Sequence, residues 1–110
     1  MNNRSSLRRN WFLILLALAD SDRHGLAIVR EVLQLSGETV RLWPATLYGT
    51  LDAMCRERLI EELLGDLHPE GASEKRRYYR VTARGRRQLS REAERLQQLA
   101  AEAQRRVEGA

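Results

Sequence analysis

Apolar residues follow two rhythms in this chain, a helical one over most of its length and a two-residue one in the middle. Residues 8–19 contain the nearly unbroken run Trp11-Phe12-Leu13-Ile14-Leu15-Leu16-Ala17-Leu18. The run falls short of the ~18 apolar residues that a membrane span needs, and it predicts a first helix met by protein on all its faces. Asp20-Ser21-Asp22 is a polar break rich in capping residues. Over residues 24–36, at about 100° per residue, Leu26, Ile28, Val29, Val32, Leu33 and Leu35 occupy one half of a helical wheel. Ala27, Arg30, Glu31 and Gln34 occupy the other half, and Gly37 ends this amphipathic helix. After a short extended stretch at 39–42, Pro44 opens a third helix that runs to about residue 57, its missing N–H costing nothing there. Leu47, Leu51, Met54 and Cys55 form the inner stripe of that helix. Its outer face, Ala45, Thr46, Gly49, Thr50, Ala53 and Arg56, is small and almost uncharged in the first two turns, unlike an ordinary solvated face.

The rhythm then changes. Residues 59–64 read as a strand and 76–81 as a second strand antiparallel to it, joined by a Gly- and Pro-containing loop at 65–75 that is long for a hairpin. Thr82 caps a last helix that reaches about residue 107, roughly 38 Å at 1.5 Å per residue. The predicted class is therefore mainly α with a small β-hairpin. Three helices and a hairpin with a projecting loop form a winged helix-turn-helix, with the third helix as recognition helix and the hairpin as wing. Residues 1–82 are expected to be the DNA-binding domain and 83–110 a dimerisation helix.

A chain of 110 residues is the size of one domain. Its single Cys excludes an internal disulfide framework and a multi-Cys zinc site, and two His residues without a cluster give no metal site, so no cofactor or metal is expected. Asp20, Asp22 and His24 lie close together but read as cap and turn residues. No nucleophile arrangement or glycine-rich phosphate loop supports an enzyme. Arg4, Arg8 and Arg9 ahead of the apolar run, with Ala17-x-Ala19 at its end, also fit the outline of a secretion signal. The following helical pair needs a third helix to pack on, which favours the buried-helix reading.

Charge narrows the partner. The net charge is +4, and residues 65–88 alone carry +4. Lys75, Arg76, Arg77, Arg80, Arg84, Arg86 and Arg87 crowd into the wing, its second strand and the start of the last helix. Alternation along a strand keeps them from sharing one face, so some must turn to the core's edge or pair with Glu. The rest suit phosphates of double-stranded DNA. The third helix adds an N-terminus with unsatisfied N–H groups. Pro44, Ala45 and Gly49 there permit close backbone approach, and Thr46 and Tyr48 offer hydroxyls. It lacks an early Arg, Asn or Gln for bidentate base reading, so DNA shape is expected to share in specificity.

On the last helix, Leu89, Ala93, Leu96, Ala100, Ala103 and Val107 recur at spacings of three and four. The helix outruns the body, and a second copy is the simplest cover for this stripe, giving a homodimer. The alternative is a helix folded back on the first helix.

His24-Gly25-Leu26-Ala27-Ile28, Pro44-Ala45-Thr46-Leu47-Tyr48-Gly49-Thr50-Leu51, Arg58-Leu59-Ile60 and Lys75-Arg76-Arg77-Tyr78-Tyr79-Arg80-Val81-Thr82-x-x-Gly85 together resemble, in this order, the motifs of PadR-family transcriptional regulators. The resemblance implies a cytoplasmic, homodimeric winged-helix repressor of the short subfamily, whose one C-terminal helix makes the dimer. By that likeness Thr46 and Tyr48 contact a palindromic operator, the basic wing straddles the adjacent groove, and a small-molecule effector releases the DNA. Leu26 stands where Tyr is common, Ala45 where Gly or Ser is common, and Arg58 where Gly is common. No aromatic follows Tyr79, so the stacking of aromatic drugs between tryptophans of the last helix does not carry over. Trp11 is left as the candidate effector contact and dimer-interface residue, with plain packing as its alternative. The competing function is a winged-helix module that binds protein instead of DNA.

Overall fold

The computed structural model describes residues 7–63 and 77–109. The elements are α1 (Arg9–Leu18), β1 (Arg23–His24), α2 (Gly25–Leu35), α3 (Pro44–Arg56), β2 (Ile60–Leu63), β3 (Tyr78–Val81) and α4 (Ala83–Gly109). Each predicted helix is present, and α4 continues two residues beyond its expected end. The expected hairpin is part of a three-stranded antiparallel sheet in the order β1-β3-β2. The added strand, β1, is two residues long, too short to display alternation. It pairs Arg23 with Tyr79 and His24 with Tyr78.

The core lies where α1, α2, α3 and the sheet meet. Ile14, Leu15 and Leu18 of α1, Ile28 and Val32 of α2, Leu51 and Met54 of α3, and Ile60 and Tyr79 of the sheet are fully buried. Each such aliphatic side chain contributes about 1.5–3 kcal/mol, so this cluster outweighs any surface ion pair. Most of the apolar run of α1 is buried, but Trp11 and Phe12 are half-buried and Leu16 is exposed, so one face is left open where protein was expected on all faces. On α2 the apolar half of the wheel is wider than the packed face, and Leu26 and Leu35 are exposed.

Local rules set the ends of the elements. The His24 side chain caps α2, its Nδ1 accepting from the Ala27 N–H at 3.3 Å. Two left-handed residues, Gly37 and Glu38, follow α2, and their N–H groups donate to Gln34 and Leu33 carbonyls. At the end of α3, Arg58 adopts φ +64°; its N–H donates to Cys55 O and the Leu59 N–H to Met54 O. This is the paired bonding that glycine ordinarily closes at a helix end. Thr82 Oγ1 accepts from the Gly85 N–H at 3.0 Å and donates to Arg58 O at 2.6 Å, fixing the start of α4 against the end of α3. Gly85 is buried there, and a Cβ on it would lie 2.1 Å from the Leu59 carbonyl oxygen.

The first turns of α4 belong to the body. Leu89 packs on the core. Glu92 is buried and accepts from Arg95 Nε at 3.1 Å and from the Leu7 N–H at 3.4 Å. The Arg95 contact holds the Glu92 carboxyl below its ordinary range, with the Leu7 N–H adding to the effect. From Leu96 onward the helix extends away, and the molecule is 56 Å in its longest dimension.

Two substitutions separate space from backbone strain. Gly85→Ala gains helix propensity but drives a Cβ into a backbone carbonyl, and we expect a loss of at least about 1–3 kcal/mol. Arg58→Gly relieves a left-handed non-glycine residue and should gain about 1 kcal/mol. Urea unfolding midpoints of both variants check this pair of opposite signs.

Candidate nucleic-acid interface

Helix α3 buries Leu47, Leu51 and Met54 and turns Pro44, Ala45, Thr46, Tyr48 and Gly49 outward. Its N-terminus has no side-chain cap; the Trp43 carbonyl accepts from the Thr46 and Leu47 N–H groups at 3.0 and 2.9 Å. Thr46 Oγ1 donates to Trp43 O and Thr50 Oγ1 to Thr46 O, both at 3.2 Å. Each hydroxyl thereby spends its proton on the helix and offers outward lone pairs as acceptors. Trp43, which the sequence reading missed, is 63% exposed, with the Arg41 guanidinium 5.8 Å from its ring centroid. Its position just before a proline that starts a helix was the available signal.

Tyr48 leans on α2. A Cβ on Gly25 would come within 2.4 Å of Tyr48 Oη, so the glycine that opens α2 makes room for the phenol. On the other side Arg77 stacks over the Tyr48 ring at 5.3 Å and over the Tyr79 ring at 5.6 Å. The same guanidinium donates to both carboxylate oxygens of Glu62, at 3.0 and 3.1 Å, and to Asp52 Oδ1 at 3.0 Å. The Glu62 bonds are the main cause of a pKa raised above the already high arginine value. Strand parity explains the meeting. Glu62 pairs with Tyr79 across the ladder and Ile60 with Val81, so residues 77, 79 and 81 share the face turned toward α3.

Other cations of the basic segment are also engaged. Arg80 binds Asp22, with Nη2–Oδ2 at 2.9 Å. Arg84 Nε donates to the Glu57 carbonyl beyond the end of α3 at 3.0 Å, and Arg86 Nη2 to the Ala19 carbonyl beyond the end of α1 at 2.9 Å. Positive groups at helix C-termini also complement the helix dipole. Cys55 is half-buried beside this cluster; burial, then Asp52 and Glu62, push its thiol pKa up. Tyr79 is fully buried with its hydroxyl unpartnered, and burial raises its pKa as well.

Residues 14–91 match the PadR-like family of transcriptional regulators. The chain belongs to this family. An uncharacterised protein of Lysinibacillus sphaericus is 32% identical over 78 residues, 71% of this chain and 69% of that one. The crystal structure of a PadR family transcription regulator from Clostridium difficile R20291 superposes with a TM-score of 0.72 at 21% identity, covering 91% of this chain and 99% of that one. Bordetella bronchiseptica BpsR, whose DNA binding is regulated by 6-hydroxynicotinic acid, superposes with a TM-score of 0.67 at 16% identity over 93% and 67% of the two chains.

In this PadR-like regulator the residues singled out from the sequence divide into groups. Pro44, Ala45, Thr46 and Gly49 lie on the open face of α3, and Tyr48 and Arg77 meet beside it. Lys75 and Arg76 lie outside the described residues. Leu89 and Ala93 are half-buried, whereas Leu96, Ala100, Ala103 and Val107 are exposed along α4. Trp11 is half-buried on the core with the Arg8 guanidinium 5.2 Å from its ring centroid. Among the described residues no helix is long and apolar enough to cross a membrane, and no group of His, Cys, Asp and Glu is arranged to hold a metal ion.

Gly25→Ala isolates the seat of Tyr48. The obstructing atoms belong to the tip of a side chain, so Tyr48 swings aside at little cost. We expect stability to change by less than about 1 kcal/mol, while the Tyr48 ring resonances in an NMR spectrum shift. Unmoved Tyr48 resonances would show that the ring is not seated against Gly25.

Proposed function

We propose that this regulator is a sequence-specific repressor that binds a palindromic operator in double-stranded DNA as a homodimer in the cytoplasm. The observation that carries the reading is the contact between Arg77 and Tyr48, which joins the root of the basic wing to the outward face of α3. A groove-facing helix and a cationic hairpin side by side suit one duplex. In this reading Thr46 and Tyr48 face base edges, and Pro44, Ala45 and Gly49 let the α3 backbone approach phosphates. Lys75 and Arg76 meet the flanking backbone. The seam is the stripe Leu96, Ala100, Ala103 and Val107 with Leu99 at its border; Leu96, Leu99 and Val107 are 39%, 53% and 77% exposed. Leu89 and Ala93 continue it into the body. A small-molecule effector that releases DNA is the regulatory part of the reading, with Trp11 its candidate contact. The regulation of BpsR, which shares the fold, supports it.

One observation favours the protein-binding alternative: Arg77 is neutralised by two carboxylates beside Tyr48, which lowers the positive charge next to α3. Selection of bound duplexes from a random pool decides between the two, since a recovered palindrome reports both specificity and two-fold symmetry, and an unenriched pool favours the protein partner. On the recovered duplex, Lys75→Ala with Arg76→Ala should flatten the slope of log affinity against log salt by about 0.9 for each phosphate no longer neutralised. An unchanged slope removes the wing from the DNA contact.

The seam has its own check. Leu99→Glu with Val107→Glu places charge on exposed positions that the folded subunit does not need. The variant should keep its helical circular dichroism while light scattering reports the monomer mass. A dimer that survives both changes refutes this seam.

A further inference from the structure

The geometry points to Arg77 as a positioning residue of the DNA interface, one that holds Tyr48 and the root of the wing as a single unit and does not itself touch phosphate. This rests on the DNA-binding reading above, within which charge density alone would count Arg77 among the phosphate contacts. Three hydrogen bonds, two to Glu62 and one to Asp52, engage two of its nitrogens, and rings of Tyr48 and Tyr79 lie near its carbon at 5.3 and 5.6 Å. Asp52 is on α3, Glu62 on β2 and Arg77 immediately before β3, so one guanidinium ties the recognition helix to both wing strands. A guanidinium suits this task because its planar fork binds a carboxylate through two parallel bonds and stacks on aromatic faces, neither of which an ammonium does. Two carboxylates already balance its charge and take the Nε and Nη2 donors, so a phosphate would find only Nη1 and no net positive charge.

Simple electrostatics and this role predict opposite signs for the carboxylates. Neutralising an acid near bound phosphates should strengthen DNA binding through charge alone. If Glu62 and Asp52 orient Arg77, and Arg77 orients Tyr48, neutralising them should weaken it.

The test uses the full chain, fluorescence anisotropy and two probes: the duplex recovered by the selection above and a duplex of scrambled sequence. For Arg77→Ala we expect affinity for the selected duplex to fall about tenfold, the discrimination that a single base-reading side chain supplies. Scrambled-duplex affinity and the salt slope should not change. Arg77→Lys should not rescue, and Glu62→Gln and Asp52→Asn should weaken selected-duplex binding in the same direction. Should Arg77→Ala fail to fold, the two carboxamide variants carry the same test with opposite expectations for charge and for position. A slope reduced by about 0.9 with equal losses on both duplexes makes Arg77 a phosphate contact and overturns the proposal. So does tighter binding by both carboxamide variants, or unchanged affinity in all variants. If the parent chain enriches no duplex, the DNA reading itself fails and takes this role with it; parental binding with an indifferent Arg77 removes this role alone.

Discussion

Four elements converge on the carbonyl of Leu59. It accepts the Thr82 N–H at 3.0 Å and shares the Thr82 hydroxyl proton with Arg58 O, Oγ1 lying 3.1 Å from it and 2.6 Å from Arg58 O, and Gly85 presses against it. Leu59 itself follows the left-handed Arg58 that closes α3 and precedes β2. The end of α3, the start of β2, the end of β3 and the start of α4 are therefore fixed around one backbone oxygen. Nothing with a side chain fits where Gly85 sits, and nothing without a β-oxygen replaces Thr82. The direction in which α4 leaves the body relative to α3 is a property of this junction, and so is the placement of the exposed half of α4.

Charge in this molecule is used inward to a degree that composition conceals. Arg77, Arg80, Arg84 and Arg86 come from the segment with the highest positive density, and each is engaged by a carboxylate or by a carbonyl at a helix end. Arg23 adds a bond to the Ala17 carbonyl at 2.7 Å. These contacts are partly exposed and individually contribute little to stability. Their value is geometric: Arg23, Arg84 and Arg86 tie the sheet and α4 to helix-end carbonyls, and Arg77 and Arg80 tie β3 to acids of other elements. Net charge by segment measures supply, and only the fold reveals demand.

Most of the architecture is legible in the residues themselves, for stated reasons. Pro44, Gly37 and Thr82 mark their boundaries because a missing N–H, a left-handed turn and a capping hydroxyl are local requirements. The mostly buried α1 follows from an apolar run with no polar face. Strand β1 is not legible, since two residues carry no period, and Leu26 and Leu35 are misplaced because a helical wheel reports chemistry and not which arc meets a neighbour. At the interface the open face of α3 is visible in its small residues. Alternation requires some of the wing cations to turn inward and pair with acids. Which acids those are depends on Asp52 and Glu62 arriving from two other elements, a coincidence in space with no trace in spacing.

Cys55 is the chain's only cysteine. Half-buried and flanked by Asp52 and Glu62, its sulfur is disfavoured as a thiolate, and thiols of that kind react sluggishly with maleimides and peroxide. Cysteines introduced on open surface will therefore take a spin label or fluorophore in preference to Cys55, and a pair of them can report distances across the protein with the native residue left in place.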